Sequence, residues 1–153
     1  MINMEILIDL MEKEDIDEIM RIEKDVFNDP WSKNAFISEL EKNPHAIYFT
    51  ARSGREILGY IGFWILKDYI HITNLAVAKK YQKKGIASLL LENVENTAGM
   101  SRKYNLYLEV RESNTKAIDF YKKRNFEIVD SKKNYYENNN EDALIMWKVI
   151  NNG

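Results

Sequence analysis

Residues 74–88 read NLAVAKKYQKKGIAS and pass from an apolar strand through a basic turn into an apolar helix. The pattern predicts a strand from about Tyr69 to Ala78 and a helix from Gly85 to about Met100. Backbone N–H groups at a helix start lack partners within the helix, and a small residue such as Gly85 lets an anion approach them. The stretch therefore suits a phosphate-bearing ligand, although a solvated basic turn capped by glycine is the alternative.

Two common phosphate-binding motifs do not fit this turn. It lacks the second glycine and the Lys-Ser/Thr pair of a P-loop, and no G-x-G-x-x-G follows any predicted strand. ATP and dinucleotides are therefore disfavoured as ligands.

Hydrophobic periodicity in the rest of the chain predicts an α/β fold. The expected strands are about 4–10, 46–52, 56–66, 69–78, 105–111, 126–135 and 143–150, and the expected helices are about 12–27, 32–41, 85–100 and 114–124. Long strands around a helical crossover favour a three-layer α/β/α domain with a mixed, mostly antiparallel sheet. Since no linker or repeat interrupts the chain, we expect a single domain over residues 1–153.

Composition excludes several classes of function. The net charge of -2 gives no electrostatic case for binding nucleic acid or anionic membranes. The absence of cysteine removes thiolate nucleophiles and cysteine metal sites. No window approaches the ~18 apolar residues of a membrane span, and the N-terminal residues lack the pattern of a signal peptide. These observations predict a cytoplasmic protein whose partner is a small molecule or another protein.

A second informative stretch, residues 106–121, reads LYLEVRESNTKAIDFY. Alternation places Tyr107, Glu109 and Arg111 on one face of the predicted strand. A carboxylate in the middle of a covered strand is costly unless it is paired or used, and a salt bridge from Glu109 to Arg111 is the structural alternative. Tyr121 lies two turns into the following helix, where it is either functional or a core aromatic.

Both stretches resemble the GNAT superfamily of N-acetyltransferases. Gln82-x-x-Gly85-x-Ala87 on a strand-to-helix turn is similar to that superfamily's acetyl-CoA pyrophosphate signature. The segment from Leu108 to Tyr121, together with Phe126 and the motifs Pro30-Trp31-Ser32, Asn134-Tyr135-Tyr136 and Glu141-Asp142-Ala143, resembles the RimI-type ribosomal-protein-alanine N-acetyltransferases. The resemblance extends over nearly the whole chain. It departs at Ala87 and Asn125, where glycine is usual, and both residues are compatible with the expected backbone.

The resemblance implies a set of functional residues. Glu109 would be the general base and Tyr121 the general acid, with Asn114 touching the pantetheine arm. The other implied contacts to acetyl-CoA, which needs no metal, are Leu75, Ala76, Val77, Gln82, Lys83, Lys84, Gly85, Ile86, Ala87 and Ser88. The implied acceptor-binding residues are Pro30, Trp31, Tyr135 and Tyr136.

The expected acceptor is the N-terminal amine of a protein, such as the alanine of ribosomal protein S18. Freeing an α-amine with a pKa near 8 at pH 7 costs about 1 kcal/mol, whereas a lysine costs roughly 4 to 5 kcal/mol. A small-molecule amine as acceptor, or a non-catalytic acetyl-CoA-binding domain, remain alternatives. His45 and His71 match no metal or hydrolase motif and are expected to be structural. Trp64 and Trp147 are expected in the core.

Overall fold

A computed structural model describes residues 5–150 of the chain. The strands are β1 (Leu7–Leu10), β2 (Ala46–Ser53), β3 (Glu56–Ile65), β4 (Ile70–Val77), β5 (Asn105–Arg111), β6 (Glu127–Lys132) and β7 (Ala143–Val149). The helices are α1 (Ile16–Val26), α2 (Lys33–Lys42), α3 (Ile86–Met100) and α4 (Thr115–Lys122). This element order is the one predicted from the sequence.

Local residue chemistry explains where the helices begin. The Ser32 hydroxyl caps α2 by accepting a hydrogen bond from the Ala35 N–H at 3.1 Å. The Asn114 side chain caps α4 in the same way. Gly85 precedes α3 with a left-handed φ of 84°, a conformation that glycine adopts without steric cost.

The seven strands form one mixed sheet in the order β1-β2-β3-β4-β5-β7-β6. Strands β2 to β4 form an antiparallel meander, and β1 pairs antiparallel with β2 although α1 and α2 lie between the two strands in the chain. Helix α3 then carries the chain over to β5, which pairs with β4 in parallel. Strand β7 lies between β5 and β6 and is antiparallel to both. The pairing confirms the predicted mixed, mostly antiparallel sheet.

Two apolar clusters cover the two faces of the sheet. Helices α3 and α4 bury Leu90, Val94 and Ile118 against the first face. Helices α1 and α2 bury Ile19 and Phe36 against the second face of β2 to β4. Because helices lie on both faces, the predicted three-layer α/β/α architecture is confirmed.

The centre of the sheet opens into a cleft. Strands β4 and β5 pair only from Ile70 opposite Leu106 to Ile72 opposite Leu108, although both continue beyond these residues. At the point where pairing ends, Thr73 is an extra residue in β4, since Ile72 and Asn74 face consecutive residues of β3. A β-bulge of this kind bends a strand, so β4 and β5 separate beyond it.

The structure differs from the sequence-based expectation in small ways. Strand β6 ends at Lys132 rather than near Tyr135, because the chain turns there and Asn134 adopts a positive φ of 52°. The predicted start of β1 at Met4 lies outside the described residues. Trp64 and Trp147 are only half-buried, because their indole N–H groups reach Glu39 and Asn105 near the surface. No helix among residues 5–150 is long and apolar enough to cross a membrane.

Candidate active site

The cleft between β4 and β5 continues into a cavity of about 200 Å³. The segment around α1 and α2, the strands β4 and β5, the start of α4 and the β6–β7 segment all contribute to its wall. The lining residues are Glu23, Phe27, Asp29, Trp31, Ile72, Thr73, Asn74, Leu75, Leu108, Glu109, Val110, Arg111, Asn114, Ala117, Tyr121 and Tyr136. The cavity thus joins Glu109 and Tyr121, which the sequence analysis singled out for catalysis.

Glu109 has an uneven environment around its carboxylate. Its Oε1 accepts a hydrogen bond from the Tyr107 hydroxyl at 3.0 Å and lies 3.4 Å from the Lys132 Nζ. Its Oε2 is buried and has no partner among the described residues. Burying a carboxylate oxygen without a hydrogen-bond partner costs free energy. Such an oxygen in a native structure is typical of a site where a ligand supplies the missing partner.

Arg111 does not form the alternative salt bridge to Glu109. Its guanidinium instead lies 3.3 Å from Glu141 and 3.4 Å from Asp29, and it stacks 3.9 Å from the centre of the Tyr136 ring. Hydrogen bonds from Ser113, followed by those from Asn139 and Arg111, lower the pKa of Glu141 to about 2. Arg111 therefore holds the β6–β7 segment, with Tyr136, against the cavity.

Tyr121 lies in the wall of the cavity on α4. Only 7% of it is exposed, and its ring packs against Phe120 and Phe126 with centroids 5.1 and 5.2 Å away. Burial raises the pKa of its hydroxyl, so the group stays protonated at neutral pH. Asn114, about two turns before it, both caps α4 and lines the cavity.

The segment between α1 and α2 forms the opposite wall through Trp31. The Trp31 backbone N–H donates to Oε2 of Glu23 at 2.8 Å, and the Tyr60 hydroxyl donates to Oε1 of the same carboxylate. Glu23 is only 2% exposed, and this burial raises its pKa. The sequence analysis did not assign a role to Glu23, which fixes Trp31 to the sheet.

The remaining predicted acceptor residues lie further out. Pro30 lines a separate groove of about 660 Å³ on the outer surface of α1 and α2, which shares Trp31 with the cavity. Tyr135 is 46% exposed and does not line the cavity, although its ring lies 5.2 Å from the Lys132 ammonium. The larger groove holds exposed Arg21 and Lys24 but no buried polar group, so the chemistry belongs to the smaller cavity.

Strand β4 offers unpartnered polar groups to a ligand in the cleft. The Nδ2 of Asn74 is buried without a partner among the described residues, and Leu75 lines the cavity beside it. Gly62 on β3 leaves the space for this asparagine, because a Cβ at Gly62 would lie 2.7 Å from Asn74 Oδ1 and would overlap the Tyr48 ring. A free donor at Asn74 and a free acceptor at Glu109 suit a ligand that carries both carbonyl and amine groups.

The turn before α3 has the backbone that an anion needs. Lys83 and Gly85 both have positive φ, the side chains of Lys83 and Lys84 are exposed, and the N–H groups of the first turn of α3 are free of intrahelical bonds. Gln82 is used differently, since its amide donates to the Val77 carbonyl at 3.0 Å and accepts from Lys116 at 2.7 Å. It joins β4 to α4 across the cleft.

Ser88 is also engaged rather than free. Its hydroxyl oxygen accepts a hydrogen bond from the guanidinium of Arg124, two residues beyond the end of α4, which stacks on Phe120 at 3.9 Å.

The predicted cosubstrate residues thus have different surroundings. The turn at Lys83, Lys84 and Gly85 is exposed, whereas Gln82 and Ser88 hydrogen-bond to residues in and just after α4. The side chains of Ala76, Val77 and Ile86 are buried in the core. The free turn and the cleft next to it fit the pyrophosphate and the amide arm of a coenzyme A derivative.

Comparisons with known proteins agree with this geometry. The model of the acetyltransferase (GNAT) family matches residues 16–126. A Bacillus subtilis (strain 168) protein named as a provisional [ribosomal protein bS18]-alanine N-acetyltransferase is 39% identical over 141 residues, which is 92% of this chain and 93% of the relative. An N-alpha-acetyltransferase of Saccharolobus solfataricus is 34% identical over 90% of this chain and 89% of its own length.

A solved structure has the same fold. The crystal structure of the ribosomal-protein-S18-alanine N-acetyltransferase from Escherichia coli superposes with a TM-score of 0.86 at 28% identity, over 95% of this chain and 94% of that one. The shared fold and the matched family model each extend over most of the chain. The chain is an acetyl-CoA-dependent N-acetyltransferase and belongs to the acetyltransferase (GNAT) family.

Proposed function

We propose that this chain acetylates the N-terminal α-amine of a protein, with the N-terminal alanine of ribosomal protein S18 as the expected acceptor. The Bacillus subtilis and Escherichia coli relatives are named for that acceptor, and they align over more than nine-tenths of this chain. A ribosomal acceptor also supports action in the cytoplasm, by a single domain over residues 1–153. The observation that carries the proposal is the free, buried Oε2 of Glu109 in a cavity shared with Tyr121.

The cavity favours a cationic acceptor. Glu109 lines it with a buried carboxylate oxygen that has no hydrogen-bond partner among the described residues. Such an oxygen can accept a hydrogen bond from an ammonium group, whose N–H groups are all donors. An α-ammonium also loses its proton more easily than a lysine side chain, at roughly 3 kcal/mol less cost near neutral pH. An N-terminal amine therefore suits the cavity better than an internal lysine.

The proposed catalytic steps use two side chains and the backbone. Acetyl-CoA supplies the acetyl group as a thioester. Oε2 of Glu109 takes a proton from the acceptor ammonium, either directly or through a water molecule, and leaves a neutral amine. The amine then forms a C–N bond to the acetyl carbon and the C–S bond breaks, and the sulfur takes the hydroxyl proton of Tyr121, which its raised pKa keeps in place until then. The second proton of the attacking nitrogen returns to the Tyr121 oxygen, directly or through a water molecule, so the amide and the thiol are both neutral. Backbone N–H groups that become free where β4 and β5 separate can polarise the carbonyl.

The proposed binding residues follow the two ends of the cleft. Leu75, Ala76 and Val77 on β4 and Asn114 on α4 hold the pantetheine arm. The turn from Lys83 to Ser88 holds the pyrophosphate, while Gln82 keeps β4 and α4 at a fixed distance through Val77 and Lys116. Trp31 and Tyr136 form the walls around the acceptor, with Pro30 and Tyr135 at its outer edge.

A thiol-release assay with a panel of acceptors tests the proposal. The panel contains peptides that start with alanine and carry the N-terminal sequence of ribosomal protein S18, the same peptides with other first residues, an N-terminally blocked peptide with an internal lysine, and small polyamines. We expect the highest kcat/KM for the alanine-initiated S18 peptide and none for the blocked peptide. A preference for the polyamines would identify a small-molecule acetyltransferase and overturn the proposed acceptor.

A further inference from the structure

The two oxygens of Glu109 face different surroundings. Glu109 lines the cavity, and its Oε2 is buried without a hydrogen-bond partner among the described residues, whereas its Oε1 lies near polar side chains on three strands. The Tyr107 hydroxyl on β5 lies 3.0 Å from Oε1, the Lys132 Nζ on β6 lies 3.4 Å away, and the His71 Nε2 on β4 lies 3.9 Å away. The carboxylate therefore has polar partners at one oxygen and none at the other.

Of the groups around this carboxylate, Lys132 supplies the positive charge. Burial lowers the pKa of His71, so its imidazole is neutral at pH 7. Burial, and then the nearby carboxylate, raise the pKa of Tyr107 and of Tyr135, so both phenols are neutral as well. Burial works against the Lys132 ammonium, but Tyr107 and Glu109 outweigh it and raise its pKa.

The other cation nearby is engaged elsewhere. Arg111 leaves β5 on the same face as Glu109, but its guanidinium pairs with Asp29 and Glu141 and stacks on Tyr136. Burial raises the pKa of Tyr136 to about 12, so that phenol is also neutral. In residues 5–150, the cation within 4 Å of the Glu109 carboxylate at neutral pH is thus Lys132.

We propose that Lys132 is a positioning residue for acetyl transfer, which holds Oε1 of Glu109 toward β6 and places a positive charge beside the carboxylate, so that Oε2 is left for the acceptor amine. The inference rests on the proposed role of Glu109 as the base. In the step it supports, an N–H bond of the acceptor ammonium breaks and an O–H bond forms at Oε2. The amine is left neutral and Glu109 is left protonated, with Lys132 still beside it.

The geometry distinguishes this contact from an ordinary surface ion pair. The Lys132 side chain is 43% exposed, but only 12% of the Glu109 side chain is exposed. An exposed pair contributes little because water screens both charges. Here the Glu109 carboxylate is screened poorly and carries out the proposed chemistry, so the effect of Lys132 should be seen in the pH dependence of catalysis rather than in stability.

The test compares kcat/KM as a function of pH for the wild type, Lys132→Met and Lys132→Arg, with saturating acetyl-CoA and one acceptor peptide. Two unit charges 3.4 Å apart interact with about 1.2 kcal/mol at water-like screening, which corresponds to a displacement of about one pH unit. We therefore expect the acid limb of the kcat/KM profile to move up by about one pH unit in Lys132→Met. At pH values below this limb kcat/KM should fall by up to about tenfold, and at higher pH it should return to the wild-type value. Lys132→Arg should keep the wild-type profile.

Lys133→Met is the matched control, because it removes the same charge one residue away. Lys133 is 78% exposed and pairs with Asp142 at 3.0 Å rather than with Glu109. Its profile should overlay that of the wild type. An equal loss at every pH in Lys132→Met, an unmoved limb, or the same shift in Lys133→Met would each overturn the positioning role.

Glu109→Gln separates failure of this inference from failure of the proposed mechanism. We expect it to be strongly impaired and to lack the acid limb that Lys132→Met displaces. Its activity should recover in part at higher pH, where the acceptor amine is already neutral. If Glu109→Gln has wild-type kcat/KM, the proposed base is wrong. If it is impaired but Lys132→Met has a wild-type profile, the base stands and the role of Lys132 is wrong.

Discussion

Replacing Tyr121 by phenylalanine should separate catalysis from folding. The ring packs between Phe120 and Phe126, and phenylalanine keeps these contacts. Tyr121 lines the cavity and its hydroxyl makes no hydrogen bond among the described residues, so removal of the hydroxyl leaves no partner unsatisfied. We therefore expect the free energy of unfolding to change by no more than about 0.5 kcal/mol.

The effect of Tyr121→Phe on turnover should be much larger. A positioned general acid contributes roughly 10²- to 10⁴-fold, which corresponds to about 3 to 5 kcal/mol of transition-state stabilisation. Because burial raises the pKa of Tyr121, the wild-type hydroxyl stays protonated through neutral and mildly basic pH, so the defect should not vary across that range. Affinity for acetyl-CoA should stay within a few-fold of wild type.

The measurements are kcat from thiol release, the Kd for acetyl-CoA from calorimetry and the melting temperature. Tyr69→Phe is the control, since Tyr69 is a half-buried tyrosine that packs on Tyr107 and Trp147 and does not line the cavity. It should have wild-type kcat. A Tyr121→Phe variant with unchanged kcat would remove this hydroxyl from the mechanism.

Two further substitutions test the cosubstrate turn and the acceptor wall. Gly85→Ala puts a Cβ on a residue with φ 84°, where it meets no other atom of the chain, so only the left-handed backbone should lower the free energy of unfolding, by roughly 1 to 2 kcal/mol. Gly54→Ala is the control, because Gly54 is also left-handed and has open space around it. Affinity for acetyl-CoA should fall in Gly85→Ala and not in Gly54→Ala. Equal affinities in the two variants, measured by calorimetry, would argue against the turn as the pyrophosphate site. Glu23→Gln places either an amide N–H group or a weaker hydrogen-bond acceptor against the Trp31 N–H, which loosens this wall of the cavity. The KM for the acceptor peptide should therefore rise about tenfold, while the KM for acetyl-CoA should stay unchanged. Glu39→Gln is the control, because the Glu39 carboxylate also accepts a hydrogen bond but lies outside the cavity, and it should change neither KM. A rise in both KM values for Glu23→Gln would indicate general damage to the fold instead.

Most of the secondary structure was predictable because strong periodicity decides it. The alternation in residues 105–111 correctly predicted both the bounds of β5 and the face of the strand on which Glu109 lies. Helix starts followed from Ser32 and Asn114, whose side chains satisfy N–H groups of the first turn. These signals act within a few residues of one another, so a single sequence contains them.

The supporting residues of the site were harder to predict. The sequence suggested Arg111 as the partner of Glu109 because the two share a face of one strand, but Arg111 reaches Asp29 and Glu141 instead. A signal for Glu23 was present, since this carboxylate sits on the buried face of α1 among apolar residues at helical spacing. A charged residue in such a position needs partners. One partner, Trp31, lies in the next loop, but the other, Tyr60, lies 37 residues further along the chain and reaches Glu23 only in the folded protein.

The sequence alone determined the order of the strands and helices, the free glycine turn before α3, and the presence of Glu109 and Tyr121 on consecutive elements. Periodicity and capping are local, and they act before any long-range contact forms. Only the tertiary structure decided which carboxylate oxygen stays free, because Lys132 reaches Glu109 from β6, and the order of the sheet brings β6 near β5 with β7 between them. The opening between β4 and β5 is likewise a property of the assembled sheet, since one extra residue at Thr73 matters only once β3 is paired beside it.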